Sequence, residues 1–285
     1  MKYLASLLPP GADVRRVRSE RAFLAALPQA THVITWHFAK SWYARARRLK
    51  VLATPGAGRE LIAWREAPEG VRVHFGGFHG QIMAESVAAF CLAWARGFFK
   101  VVRQPPRAGI WPRDWLGGDC FTLAGTRAVI AGYGRIGRAI GAKLAALGVT
   151  VEGFGRGNLA ELPHAAKSAD WFILALPGDT GTDNFLDAKL MRRLPQRCVV
   201  VNVGRGNAVD EAALKHCLAT GRLAGAYLDV FKDEPTVLND LKCRTARDAL
   251  YEEKLPTLVA MPHCSAFAPQ YLRLCFQELK DDGLL

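Results

Sequence analysis

Short apolar runs alternate with amphipathic stretches along much of the chain. Runs rich in β-formers fall at RAVIAG (127–132), VTVEGF (149–154), DWFILALP (170–177), CVVVNV (198–203), GAYLDV (225–230) and TLVAM (257–261). Several are apolar at consecutive positions, the pattern of parallel-sheet strands covered by helices on both faces. Between them, RIGRAIGAKLAALG runs with helical spacing from Arg135 to a stop at Gly148. VDEAALKHCLATG offers Asp210 as an N-cap and Gly221 as its stop. Strand–helix alternation of this kind predicts a doubly wound α/β domain.

Residues 1–100 carry a second, weaker alternation. Its strands are HVITW (32–36), KVLATPG (50–56) and VRVHF (71–75), and one long apolar helix over 82–100 follows. The opening MKYLASLLPPG has a short apolar patch broken by Pro9 and Pro10; it lacks the core and cleavage site of a leader and reads as a first strand. The stretch 103–118, rich in Pro, Gly and Trp, marks the crossing between domains. At ~150 residues per domain, the 285 residues divide into about two.

Composition narrows the function classes. Half of the residues are hydrophobic and 22% are charged, which excludes disorder as the dominant state. The net charge of +12 comes from scattered residues, and the densest cluster, RARRLK at 45–50, is short. It reads as a solvated basic face, not a nucleic-acid surface. No apolar run approaches ~18 residues, so no membrane span is expected. The seven cysteines form no CxxC pair and no zinc-ligand spacing; they read as reduced thiols of a cytoplasmic protein without a metal site.

GYGRIG at 132–137 directly follows a strand and opens a helix, the context in which G-x-G-x-x-G binds a dinucleotide. Gly132 allows the tight turn, Gly134 lets a pyrophosphate approach the backbone and Gly137 packs the helix on the strand. Arg135 and Ile136 lie at the helix N-terminus, whose free N–H groups face the phosphates. At the end of the second strand, where a carboxylate would bond the ribose of NAD(H), stand Gly155 and Arg156. A guanidinium there favours the 2′-phosphate of NADP(H). A shift of register by a few residues would put Glu152 at that place and restore NAD(H).

Ligands of open parallel sheets bind beyond the carboxyl ends of the strands. Arg205 follows the strand 198–203 between two glycines, Glu234 follows 225–230, and His263 follows 257–261. Each alone has a plain explanation as a surface arginine, a loop carboxylate or a core histidine. Together they suit reduction of a 2-oxo acid: a planar cation for carboxylate and carbonyl, an imidazolium to give the proton, and a carboxylate to orient it. Gly204 and Gly206 are expected to let the backbone turn beside the cofactor. Cys264, next to His263 in an extended chain, is expected to point away.

The stretch 202–235, NVGRGNAVDEAALKHCLATGRLAGAYLDVFKDEP, resembles the signature of the D-isomer-specific 2-hydroxyacid dehydrogenase family. MPHCSA (261–266), GYGRIGRAIG and ADWFILALPGDTGT resemble further motifs of that family. The resemblance implies two Rossmann-like or flavodoxin-like α/β domains, with a dinucleotide-binding domain (101–266) inserted into a smaller substrate domain (1–100 plus 267–285). It implies Arg205, Glu234 and His263 as catalytic residues, with Arg205 and His263 on the substrate. Asp229 would face the nicotinamide carboxamide, and Pro177 and Val203 would line the cofactor. Ala57 and Gly58, in PGAGRE (55–60), would receive the substrate carboxylate through their N–H groups. A small 2-oxo or 2-hydroxy acid of the glyoxylate or hydroxypyruvate kind and a homodimer are implied as partners. Four departures stand out: Gly155-Arg156, a long segment at 236–256, a short N-terminal region and tail after His263, and FGGFHGQ at 75–81. A contrasting reading is a dinucleotide-sensing binding protein on the same scaffold, without turnover.

Overall fold

A computed structural model describes residues 2–103, 113–232, 234, 255 and 257–285. The 236–256 segment apart from Leu255, most of the 103–118 crossing, and Cys243 lie outside the described residues. By their contacts the residues form two compact units, Met1–His79 with Phe267–Leu285, and Gly80–Ala266. The long helix expected to close the first domain thus begins at the division and belongs to the second unit.

The smaller unit is built on a three-stranded parallel sheet of β1 (His32–Ile34), β2 (Val51–Thr54) and β3 (Arg72–Phe75), in the order β1-β2-β3. All four residues of β2 are buried, because the sheet is covered on both faces. Leu52 packs with Leu27, Val33, Phe38 and Ile62 on one side. Val51 and Ala53 pack with Cys275, Leu279 and Leu284 on the other. That second face is covered by the helix Tyr271–Asp281, whose exposed flank carries Arg273, Lys280 and Asp281 together with Leu272.

The N-terminal residues, expected as a strand, form the helix Lys2–Leu7. Their apolar positions suit a helical face as well as a short strand, and packing decides between the two. The Tyr3 hydroxyl donates to Gln277 Oε1 at 2.7 Å, and the Arg273 guanidinium lies 4.9 Å from the Tyr3 ring centre. Leu4 is buried.

The larger unit carries a six-stranded, all-parallel sheet. Its strands are β4 (Arg127–Ala131), β5 (Thr150–Phe154), β6 (Trp171–Leu174), β7 (Val199–Asn202), β8 (Gly225–Leu228) and β9 (Leu258–Ala260). The order is β5-β4-β6-β7-β8-β9. The chain reverses its direction of travel across the sheet at β4, so a topological switch point falls between β4 and β6. Residues alternate between the two faces. Val129, Phe172 and Val200 enter one core; Ala128, Ile130, Trp171, Ile173 and Val201 enter the other.

The helix His79–Ala95 seals that second core with Met83, Val87, Phe90 and Cys91. The single helix expected over 82–100 ends here. Gly97 adopts φ +70°, and a separate short helix, Phe98–Arg103, follows. A glycine takes this left-handed turn without the Cβ clash other residues meet. Gly148 and Gly221 stop their helices the same way, with φ +83° and +66°. Asp210 caps Glu211–Ala219 by accepting the Ala213 N–H at 3.0 Å. No helix among the described residues is long and apolar enough to cross a membrane.

Ile140, on the helix Arg135–Ala146, is fully buried in the second core. Ile140→Ala should lower the unfolding free energy by about 2–5 kcal/mol, read from the shift of the denaturant midpoint.

Candidate active site

The glycines of 132–137 divide into two that serve the protein and one that leaves room. A Cβ on Gly132, at φ +93°, would lie 2.5 Å from the Ala175 carbonyl oxygen, so the turn presses against the end of β6. A Cβ on Gly137 would lie 2.2 Å from the Gly132 carbonyl oxygen. A Cβ on Gly134 would meet nothing within 4 Å. Gly134 is also the N-cap of the helix Arg135–Ala146 and offers no side-chain cap. The helix therefore starts beside open space at the switch point, with Arg135 exposed and Ile136 half-buried. A dinucleotide pyrophosphate fits this cradle.

At the next strand end, Gly155 follows β5 directly and donates its N–H to Asn158 Oδ1 at 2.8 Å. Asn158 Nδ2 donates back to the Gly153 carbonyl. Arg156 projects from this turn, exposed and without an ion pair among the described residues. Glu152 lies inside the strand, opposite Val129, and pairs with Arg127 at 2.8 Å. The register thus leaves no carboxylate at the strand end.

Pro177 is exposed, and its carbonyl accepts the Thr182 hydroxyl at 2.8 Å. Val203 is buried, with its N–H on the Leu174 carbonyl. Asn207 ties these two strand ends together: its Nδ2 donates to the Asp179 carbonyl, Thr182 Oγ1 and Asp183 Oδ1.

Arg205 sits in the turn after β7. The fully buried Asn202 clamps that turn, accepting the Gly204 N–H on Oδ1 and donating from Nδ2 to the Arg205 carbonyl. One guanidinium nitrogen donates to the Gly204 carbonyl at 2.8 Å. Neither flanking glycine has a positive φ. Both are required by close approach instead: a Cβ on Gly204 would lie 2.6 Å from the Leu176 carbonyl oxygen, and one on Gly206 would overlap the Phe231 backbone. They let the turn nest against neighbouring strand ends.

His263 follows β9 with φ +53°. Its Nδ1 lies 2.6 Å from Glu234 Oε2, while Glu234 Oε1 accepts the Phe231 N–H. The histidine pKa is raised, first by the Glu234 hydrogen bond and then by that carboxylate's charge, against opposing effects of burial and of the nearby Arg205 cation. Asp229 is fully buried at the end of β8. Its carboxylate accepts the N–H groups of Cys264 and Ser265 and the Ser265 hydroxyl. Its carbonyl accepts the His263 N–H. Asp229 thus braces the histidine turn. Cys264 is half-buried, and burial raises its thiol pKa.

In the smaller unit, Ala57 and Gly58 follow β2. Among the described residues no acceptor takes either N–H. The neighbouring Gly56 N–H is bound by Thr54 Oγ1, and the Gly56 carbonyl accepts the Gly76 N–H. The pair thus follows a residue whose own N–H and carbonyl are both bound.

Asn158, Asn202 and Asn207 were not singled out in the sequence, although each positions a residue that was. Asn202 alone left a signal, as a polar residue inside a buried apolar run.

A dinucleotide cradle at a switch point and an Arg–Glu–His set on successive strand ends define the class, a nicotinamide-dependent oxidoreductase. The chain belongs to the D-isomer specific 2-hydroxyacid dehydrogenase family, whose NAD binding domain matches residues 88–265. It is 25% identical over 243 residues to a glycerate dehydrogenase of Methylorubrum extorquens, covering 82% of this chain and 74% of that one. It is 30% identical over 202 residues to a glyoxylate/hydroxypyruvate reductase B of Pectobacterium carotovorum, covering 64% and 58%. Among solved structures, a D-lactate dehydrogenase of Treponema pallidum superposes with a TM-score of 0.75 at 21% identity, over 98% and 91% of the chains, and shares the fold. A D-isomer specific 2-hydroxyacid dehydrogenase of Xanthobacter autotrophicus, complexed with NADPH and MES, gives 0.68 at 25% identity over 99% and 91%.

The glycine geometry separates folding from binding. Gly134→Ala should leave the unfolding midpoint unchanged and weaken dinucleotide binding about tenfold or more. Gly137→Ala should lower both. Calorimetric titration with NADPH and NADH beside thermal melts checks the contrast.

Proposed function

We propose that the protein reduces a 2-oxo acid to the D-2-hydroxy acid, with NADPH as the preferred cofactor. The observation that carries this reading is the 2.6 Å contact between His263 and Glu234, with the Arg205 cation close enough to act on the histidine. The unit Gly80–Ala266 is assigned to the cofactor, and the unit of Met1–His79 with Phe267–Leu285 to the substrate.

The cradle of Gly132, Gly134 and Gly137 would hold the pyrophosphate of the dinucleotide, which when bound would supply the hydride. Arg205 holds the substrate carboxylate and polarises the carbonyl. In the smaller unit, the N–H groups of Ala57 and Gly58 are proposed as donors to a carboxylate. Glu234 accepts from Nδ1 of His263, which fixes the ring and leaves Nε2–H for the substrate. Nε2–H of His263 would give its proton to the carbonyl oxygen. Asp229 serves this chemistry through the histidine turn. The NADPH preference rests on Arg156 and on Glu152 being paired inside its strand. Two copies are proposed to pair through the cofactor unit. A sensor without turnover would have no use for the oriented acid.

NADPH and NADH oxidation measured side by side on a series of 2-oxo acids tests the reading, and absence of turnover on all of them overturns it. Arg205→Ala should lower kcat/KM by roughly 10²–10³-fold while nucleotide affinity is retained. Arg156→Glu should cut the NADPH-over-NADH preference by tens-fold, the scale of one lost charge-assisted hydrogen bond.

The pH dependence has a definite sign. Reduction needs the imidazolium, so kcat/KM holds below the raised pKa of His263 and falls as pH rises through it. Glu234→Gln removes the charge that raises this pKa. The falling limb should move to lower pH in the kcat/KM profile, and a limb that stays in place would remove Glu234 from the mechanism.

A further inference from the structure

Away from the strand ends of the larger sheet, three titratable side chains converge: His74 of β3, and Glu278 and Asp282 at the end of the helix Tyr271–Asp281. All three belong to the unit of Met1–His79 with Phe267–Leu285. Glu278 and Asp282 stand four positions apart, so the last helical turn and its C-cap present both on one face. One nitrogen or oxygen atom from each of the three residues lies within 4.8 Å of the other two.

The imidazole faces both carboxylates at once. His74 Nε2 lies 3.3 Å from Glu278 Oε2, and Nδ1 lies 3.6 Å from Asp282 Oδ2. A neutral imidazole has one N–H and one lone pair, so one of the two carboxylates meets a lone pair. The ring is only 10% exposed, and solvent does little to relieve that repulsion. The helix adds to it, because its C-terminal end carries negative partial charge where two carboxylates already stand. Arg72, two residues before His74 on β3, donates Nη2 to the Gly283 carbonyl at 3.1 Å and so serves the helix end itself.

Glu278 is held in place from outside the group. Both of its oxygens accept the Gly77 N–H, at 3.0 and 2.9 Å, which fixes the carboxylate. Outer hydrogen bonds of this kind orient the ligands of metal ions. The Asp282 side chain is 47% exposed, which leaves the group open to solvent on one side.

We propose that His74, Glu278 and Asp282 bind a divalent first-row transition-metal ion, with water in the positions left open. One imidazole nitrogen coordinates the ion and the other keeps its proton, which removes the lone-pair conflict. One nitrogen and two carboxylate donors suit zinc and its neighbours, whereas calcium and magnesium take oxygen ligands. The ligands come from a strand and from the C-terminal helix, so the ion pins that helix to the small sheet. The cysteine spacings gave no sign of such a site, since no cysteine takes part. None of the three residues belongs to the reductase machinery, so the site and that reading are tested apart.

The full-length chain, freed of metal by chelation, is titrated at neutral pH with Zn²⁺ by calorimetry and with Co²⁺ by absorption. The wild type should take up one equivalent, and Asp282→Asn and His74→Gln should each weaken binding about tenfold or more. Zinc should raise the Tm of the wild type and leave that of the variants nearly unchanged. Bound Co²⁺ should give ligand-field bands without the thiolate charge-transfer absorption that cysteine ligation produces. Circular dichroism of the metal-free proteins establishes that the variants are folded. Should His74→Gln unfold, Asp282→Asn, at an exposed position, decides alone. Absence of saturable binding overturns the proposal and leaves a doubly protonated His74 between the two carboxylates. A thiolate band, or binding that Asp282→Asn leaves unchanged, overturns it by placing the metal elsewhere.

Discussion

A buried carboxylate organises the chemical end of the larger sheet. Asp229 lies at the end of β8 with no solvent exposure, and such a charge is tolerable inside only where hydrogen bonds saturate it. Among the described residues its donors come from Cys264 and Ser265, in the turn after β9. The carboxylate and the turn therefore stabilise each other. His263 lies between them, its N–H on the Asp229 carbonyl, so the position of the imidazole is fixed by the backbone before Glu234 touches it. Ser86 reinforces the arrangement by donating to the Ser265 carbonyl at 2.8 Å.

The same economy recurs at the neighbouring strand ends. Two are held by an amide side chain that bonds backbone on both sides of a turn, Asn158 after β5 and Asn202 after β7. Asn207 donates from Nδ2 to the Asp179 carbonyl and to the Thr182 and Asp183 side chains between the ends of β6 and β7. Asparagine suits this work, since its oxygen and nitrogen accept and donate from one short, stiff stem. The charged groups are carried by turns that hydrogen bonding has already made rigid, so little is left to be ordered when a ligand arrives.

Much of this was legible in the sequence, for reasons that also mark where legibility stops. Among the described residues, β2, β4, β6, β7 and β8 could be read because central parallel strands are apolar almost without interruption, while β1, β3 and β5, with polar residues among the apolar ones, left a weaker pattern. Arg205, Glu234 and His263 could be read because charged residues at successive strand ends are conspicuous. The apolar patch at Lys2–Leu7 satisfies the strand and the helix period alike, and contacts with Gln277 and Arg273 decide for the helix. The break at Gly97 was hidden inside a run whose apolar character continues past it. Asp229 was visible as a residue but not as a brace, because its donors come from a later strand crossing. His74 and Glu278 lie 204 positions apart, and no local pattern joins them.

The left-handed backbone of His263 carries a consequence for how this protein can change. A side chain with a Cβ is strained at φ +53°, at a cost on the order of 1–3 kcal/mol that a glycine avoids. The position therefore sets durability against chemistry. Drift toward a more robust fold would select a smaller residue here and discard the imidazole. Under the role proposed for His263, stability of the turn and acid chemistry therefore pull in opposite directions at this position.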